Sequence, residues 1–349
     1  MRTSVDILII NNCPSFYKIN LYNELARYCK IHVIFIALSN QVTINDSFRK
    51  DILFSYDLLS SIQIEKRNKW RSVFRLMLIC NQYHYKKIIF GGYADIEEMV
   101  LMWFTPKRKN CIQFESSIRE SKIKGIYALL KEIIVSRFSV ALPSGKLQND
   151  VLESLGFKGI SIKTNGVGIF NKQPFVRETP LTPSHELKYL FVGRLINVKN
   201  LEFLIHVFNQ TDKRLTIIGK GALESELKKL ANQNITFIGH ISNNEMMNFY
   251  LSHDVLILPS LSEPWGLVIE EAIYFGIPVL VSEAVGCLEE MVLKPNTGIV
   301  FSPHNENDLL HAMEKLENNF DTYKQNCLNF NFEDRDSEQI NAYLKILSL

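Results

Sequence analysis

"DVLILPSLSEPWGLVIEEAIYFGIPVLVS", residues 254–282, settles the architecture. "DVLILPS" reads as a buried strand, "LVIEEAIYF" carries apolar residues at helix spacing, and "IPVLVS" is a second buried strand. Buried-type strands separated by a helix belong to a parallel sheet with helices on its faces. The connecting loop holds Ser260, Ser262, Glu263 and then Pro264-Trp265-Gly266, and the helix carries Glu270 and Glu271. Carboxylates at the mouth of a sheet cost desolvation unless something polar comes to meet them.

The same alternation runs outward in both directions. Before it come the strand candidates "LKYLFVG", "RLTIIG" and "ITFIG", separated by the helical stretches "NLEFLIHVF", "LESELKKLA" and "NNEMMNFYL". Earlier still, "DILII", "IHVIFIAL", "KIIF", "CIQF", "SVAL" and "GISI" alternate with "FYKINLYNELARY", "WRSVFRLMLICNQY" and "IYALLKEIIVSRF". The spacing predicts an α/β protein of two doubly wound, Rossmann-like domains facing a central cleft. Residues 1–170 form the first and 187–332 the second. "NKQPFVRETPLTPSHE", residues 171–186, has three prolines and no helical period, and reads as the linker. Residues 333–349 read as a terminal amphipathic helix, a candidate to pack back on the first domain.

At 349 residues the chain exceeds one ordinary core. The start, "MRTSVDILII", enters a strand without a leader pattern, and no apolar run approaches the roughly 18 residues of a membrane span. Six scattered cysteines without a CxxC pair read as reduced and buried, in a cytoplasmic protein. The net charge of +2 divides unevenly: residues 1–170 have 24 Lys+Arg against 14 Asp+Glu (+10), and residues 171–349 have 15 against 23 (−8). The basic half is either ordinary surface or a face drawn to an anionic acceptor or inner leaflet. The basic clusters "EKRNKWRS" and "TPKRKN" lack the patterns of a nucleic-acid reader.

Ligands of doubly wound domains bind beyond the carboxyl ends of the strands. In "YLFVGRLINVKN", residues 189–200, Gly193 permits close backbone approach, and Arg194 and Lys199 follow as a pair of cations. A fork and a point charge suit phosphate oxygens, and a lysine placed before a helix opposes the macrodipole unless an anion joins it. In "IIGKGALESEL", Gly219 and Gly221 form either a phosphate cradle or a plain turn. Gly239 closes the next strand as a turn glycine. Glu263 and Glu271 flank a helix start whose amides, at Gly266 and Leu267, face any anion there. That order suits a nucleotide-diphospho-sugar, with hydroxyls at both ends and charge in the middle. On a solvated turn the glutamates would instead serve the helix dipole, a role that suits Glu270 best.

"FVGRLINVKN", "IIGKGALESELKKLA", "ITFIGHISNNEMMNFY" and "DVLILPSLSEPWGLVIEEAIYFGIPVLVSEAVGCLEEMV", in this order, closely resemble the family-4 glycosyltransferases, retaining enzymes of GT-B architecture. The resemblance covers about Tyr189 to Val300. It implies that Arg194 and Lys199 bind the donor diphosphate, that Glu263 contacts donor-sugar hydroxyls, and that Glu271 contacts the ribose. It places the amides around Gly266 and Leu267 against sugar and phosphate, and Trp265 at a position usually aromatic. The first half, through "FESSIRESKIKGIYALLKEIIVSRFSVALPSGKLQNDVLESLGF", looks more loosely like the acceptor domain of bacterial polysaccharide-assembly members. Glu115 falls where relatives place a histidine or an acid near the reacting sugar; it is either a contact to sugar or an inert strand-end residue. The loop "NNCPSFYKINLY" departs from members with a glycine-rich loop there.

The implied reaction is retaining and metal-independent. It moves a hexosyl-type sugar from a UDP- or GDP-linked donor to a glycan acceptor, lipid-diphosphate-linked, in surface-polysaccharide (O-antigen or capsule) assembly. No cofactor beyond the donor is implied. Alternatives are a GT-B epimerase or phosphorylase, or a silent nucleotide-sugar-binding scaffold; a nicotinamide dehydrogenase lacks its GxGxxG. Asp334-Arg335-Asp336 spells a metal-type DxD but sits where Asp commonly caps a helix. His84, His240 and His253 read as surface or packing residues.

Overall fold

The computed structural model describes residues 2–39, 51–116, 125–175 and 186–349. Most of the expected linker, residues 176–185, lies outside the described residues. The chain divides into two compact units, Met1–Asn171 with Glu333–Leu349, and Lys172–Phe332.

The first unit runs β1 (Thr3–Asn11), α1 (Phe16–Leu25), β2 (Ile31–Phe35), β3 (Ser55–Leu58), α2 (Lys69–Cys80), β4 (Tyr83–Phe90), α3 (Ile96–Phe104), β5 (Asn110–Phe114), α4 (Gly125–Val135), β6 (Val140–Pro143), α5 (Lys146–Ser154) and β7 (Ile160–Ser161). Its sheet is ordered β3-β2-β1-β4-β5-β6-β7, and every pair is parallel. β1 is apolar on both faces because both are covered. Leu8 and Ile10 join Leu76 of α2, Leu101 of α3, Val135 of α4 and Val151 of α5 on one face. Ile7 and Ile9 join Ile19 and Tyr22 of α1 on the other. That second face is completed by the terminal helix, here α12 (Phe332–Lys345). Its Arg335 is buried and donates to the carbonyls of Asn165 (3.0 Å) and Gly168 (3.2 Å). Asp334 and Asp336 thus flank a structural anchor in the first turn of the helix.

The second unit runs β8 (Lys188–Val192), α6 (Leu201–Asn209), β9 (Arg214–Ile218), α7 (Glu224–Leu230), β10 (Ile235–Gly239), α8 (Asn243–Leu251), β11 (Val255–Leu258), α9 (Leu267–Tyr274), β12 (Val279–Ser282), β13 (Gly298–Phe301), α10 (Glu306–Asn318) and α11 (Phe320–Asn329). Its parallel sheet is ordered β10-β9-β8-β11-β12-β13. Chain direction across the sheet reverses between β8 and β11, so a crevice opens beyond their carboxyl ends.

The sequence reading named none of β3, α3, α5, β13, α10 and α11, and it ran α2 too far. β3, "SYDL", is an edge strand with little burial and too short a pattern to detect. The helix expected over "WRSVFRLMLICNQY" stops at Cys80, because the amide of Asn81 closes the last turn and Thr3 N–H already bonds the carbonyl of Gln82 (2.8 Å). Tyr83 to Lys86 then extend β4 backwards.

All six cysteines are free, and all but half-buried Cys29 are buried. Burial pushes the Cys80 and Cys111 thiols up to about 12. Among the described residues no helix is long and apolar enough to cross a membrane.

Candidate active site

The loops at the carboxyl ends of β8, β9 and β10 are stitched together through their backbones. Gly193 N–H donates to the carbonyl of Ile218 (3.0 Å), Leu195 N–H to Lys220 (3.0 Å), Leu223 N–H to Leu195 (3.1 Å) and Gly219 N–H to Gly239 (2.7 Å). Gly219 has φ +143°, and a Cβ there would stand 1.8 Å from the carbonyl oxygen of Gly193. A Cβ at Gly221 would stand 2.1 Å from the carbonyl oxygen of Leu195. Packing of the loops against each other requires glycine at both positions.

Arg194 leaves this platform exposed. The chain then makes a tight turn, Asn197–Lys199, and enters α6 through left-handed Asn200 (φ 56°). The amide of Leu261, beyond β11, donates to the carbonyl of Val198 (2.8 Å). That bond fixes the two switch-point loops together, and across it the Lys199 ammonium pairs with the Glu263 carboxylate. Both side chains are largely buried. Glu263 is held from its other side too: its amide donates to Ala284 (3.2 Å), and its carbonyl accepts from Gly286 (2.8 Å). Three loops converge on one carboxylate.

Gly266, at φ 104°, is the N-cap of α9 and brings no side chain to cap it. Trp265 is buried, and its indole N–H donates to Glu270, itself fully buried. This corrects the solvated-turn reading of Glu270. Glu270 is not on a solvated turn, and Trp265 sits under the loop as its support. An indole buried for its apolar area needs one acceptor, and Glu270 supplies it.

Half-buried Glu271, next along α9, accepts from the Tyr250 hydroxyl of α8 at 2.7 Å. Burial pushes its carboxyl up to about 7, with Glu270 adding to the rise and the Tyr250 hydrogen bond opposing it. His253 is a packing residue, bonded to the Phe249 carbonyl (2.8 Å) and the Thr216 hydroxyl (2.8 Å); His84 and His240 are exposed. Among the described residues no group of three or more His, Cys, Asp or Glu could hold a metal ion.

The first unit has a second polar cluster, which the sequence reading met only through Glu115. Glu115, after β5, pairs with Lys18 of α1, and that ammonium also donates to Gln113 Oε1 (3.2 Å). Gln113 Nε2 donates to the Tyr343 hydroxyl of α12 (2.8 Å), and Asn11 Nδ2 donates to the Tyr22 hydroxyl (2.9 Å). Burial pulls the Lys18 ammonium down; the charge and hydrogen bond of Glu115, with Tyr343 and Tyr17 beside it, together outweigh this and hold it up. Beside the cluster, the strand-end amides of Gly91 (2.7 Å) and Gly92 (3.3 Å) donate to buried Glu98, and burial raises that carboxyl well above its ordinary value. Lys18 had a sequence signal, a lysine inside the buried stripe Lys18, Ile19, Leu21, Tyr22. Tyr250 and Gln113 had none.

Residues 172–327 match the family model described as "Glycosyl transferases group 1". The chain is 24% identical over 254 residues to an uncharacterized 41.2 kDa protein in the cps region of Klebsiella pneumoniae, covering 70% of this chain and 69% of that one. It is 26% identical over 215 residues to the O-antigen biosynthesis glycosyltransferase WbnH of Escherichia coli, covering 59% of each chain. The solved structure of HepE from Anabaena, in complex with UDP-glucose, superposes with a TM-score of 0.72 over 99% of this chain and 100% of that one. At 14% identity this likeness speaks for the fold alone. The protein has the GT-B fold, and its second unit carries the match to the glycosyl transferases group 1 model.

Proposed function

We propose that this chain is a retaining, metal-independent glycosyltransferase of polysaccharide assembly. It moves a hexosyl-type sugar from a UDP- or GDP-linked donor to a hydroxyl of a growing, lipid-linked oligosaccharide at the cytoplasmic face of a membrane. The observation that carries the reading is the Lys199–Glu263 pair, held at the switch point of the second sheet beside a helix start whose N-cap is a glycine. Such a place offers a cation and backbone amides to a diphosphate and a carboxylate to sugar hydroxyls. The names of the Klebsiella and E. coli relatives support the polysaccharide context, and the UDP-glucose complex of HepE supports a UDP-sugar.

In this reading Arg194, Lys199 and the amides at Gly266 and Leu267 bind the diphosphate and stabilise the charge that grows on it as the bond from the sugar's anomeric carbon to phosphate breaks. Glu263 orients the hexose and Glu271 the ribose. The acceptor hydroxyl attacks from the departing side, its oxygen bonds to the anomeric carbon, and its proton passes to the leaving phosphate oxygen. Positioning and preorganised charge then supply the catalysis, with no protein nucleophile.

The test is thermal shift and transfer across UDP-, GDP- and dTDP-sugars, wild type beside Arg194→Ala. One donor should stabilise the wild type, by about 2.7 kcal/mol at a hundredfold excess over its Kd, and leave the variant unshifted. No shift with any nucleotide sugar would remove the donor-site reading.

A further inference from the structure

The outer surface of helices α2, α3 and α4 has no part in the sites above. The three cover one face of the first sheet through Leu76, Leu101 and Val135. α2 and α3 pack side by side. Arg137, just past α4, lies 4.8 Å from the Trp103 ring centre and donates to the carbonyls of Met102 (3.3 Å) and Thr105 (3.4 Å) at the end of α3. Their outward surfaces therefore form one face.

That face is apolar where it should be polar. α2 shows Trp70, Phe74 and Leu78, one turn apart, at 68%, 65% and 52% exposure. α3 ends on exposed Trp103 and Phe104, and α4 shows Ile126, Leu130 and Ile133. Exposed apolar area on this scale marks an interaction site. The charges interleaved with it are mostly cationic. Lys69, Arg71 and Arg75 stand exposed on α2, and Lys107 and Arg108 follow α3. α2 has no acidic residue, the glutamates of α3 are buried, and Glu132 is the exposed carboxylate of α4.

The face also has a recess. Between α2, β4 and α3 lies a cavity of about 550 Å³, walled by Phe74, Leu78, Leu101 and Phe104, with Arg2 and Lys109 on its lining. A mainly apolar recess with Asn81, His84 and the two cations on its wall suits an acyl chain beside a phosphate headgroup.

We propose that this face seats the first unit on an anionic lipid bilayer, its tryptophans and phenylalanines in the interfacial layer and its lysines and arginines on lipid phosphates. A second copy fits poorly, since a two-fold contact would set these cations against their own kind. The inference deepens the lipid-linked-acceptor reading above by naming the surface that reaches the membrane.

The test is co-sedimentation of the full chain, without donor or acceptor, with vesicles of phosphatidylcholine alone or mixed with phosphatidylglycerol, at low and high salt. The wild type should pellet with the anionic vesicles at low salt and shift its tryptophan emission to the blue. Lys107→Ala with Arg108→Ala should weaken partitioning roughly 30-fold, about fivefold per charge. Phe74→Ser with Trp103→Ser should abolish it, and both double variants should keep wild-type transfer to a water-soluble acceptor. Absence of low-salt binding to anionic vesicles, or equal binding by all three proteins, overturns the proposal. So does a dimer that Phe74→Ser with Trp103→Ser dissolves while no protein binds vesicles. Vesicle binding by a wild type that transfers no sugar would overturn the proposed reaction and leave this surface standing.

Discussion

The Tyr250 hydroxyl of α8 donates a hydrogen bond to Glu271 of α9 at 2.7 Å, so the carboxyl proposed to meet the ribose already has one strong donor. Burial pushes that carboxyl from 4.5 up to about 7. Native Glu271 thus keeps a proton that the unfolded glutamate has lost. Its contribution to stability is present at low pH and falls as pH rises from about 4.5 through about 7. Ligand binding should run the other way, because an ionised carboxylate is the better acceptor for hydroxyls. We expect donor affinity to rise between pH 6 and 8 in the wild type and to stay flat in Glu271→Gln. Calorimetric Kd values across that range decide it, and parallel curves would detach Glu271 from the donor.

Lys199 and Glu263 separate two roles. Arg194→Ala removes a cation from an exposed position and should lower kcat by about 100- to 1000-fold, as loss of one preorganised oxyanion donor does, with stability unchanged. Lys199→Ala should cost similar activity and also about 1–3 kcal/mol of stability, because it strands a largely buried carboxylate. Glu263→Gln should act on donor choice, losing more with the true sugar than with poor donors. Steady-state kinetics beside urea unfolding distinguish the three, and near-normal turnover in Arg194→Ala or Lys199→Ala would remove the phosphate assignment.

Much of this site was legible because parallel strands advertise themselves. Runs buried on both faces, such as "LKYLFV" and "DVLIL", need no tertiary information, and their carboxyl ends say where to look. That is how Arg194, Lys199, Glu263 and Glu271 came to hand. The role of Trp265 was not legible, because whether an indole faces ligand or core depends on how far the loop after β12 presses in. Lys18 was hidden for a similar reason. Its partner Glu115 lies 97 residues on, and only the sheet order brings α1 beside the end of β5.

The Lys18–Glu115 pair tests whether Glu115 serves chemistry or only neutralises a buried lysine. Lys18 is buried and Glu115 is about one-third exposed. Glu115→Ala therefore leaves an uncompensated buried ammonium, and breaking such pairs costs about 3–5 kcal/mol. Lys18→Met in the same background should restore most of that loss. If turnover returns with stability in the double variant, Glu115 is structural. We expect stability to return and turnover to stay low, because a carboxylate held at a strand end beside a switch point is placed to meet sugar.

The glycines after β8 and β9 offer the sharpest contrast in the molecule. At Gly193 the nearest atom to an added Cβ is the Phe191 ring tip at 3.0 Å, and φ is ordinary. A ring can move by tenths of an ångström, so Gly193→Ala should fold with near wild-type stability. At Gly219 the obstacle is the Gly193 carbonyl oxygen at 1.8 Å, and the residue also holds φ +143°. Backbone cannot yield there without breaking the Gly193–Ile218 and Leu195–Lys220 hydrogen bonds that join the two loops. Gly219→Ala should therefore cost at least about 3 kcal/mol, two hydrogen bonds and a strained φ together. The same damage displaces Arg194, so donor binding should fall with it. Thermal unfolding of the two alanine variants, with and without donor, checks both halves. Equal stability of the two proteins would mean that the strand-end loops are not the rigid platform on which the cations stand.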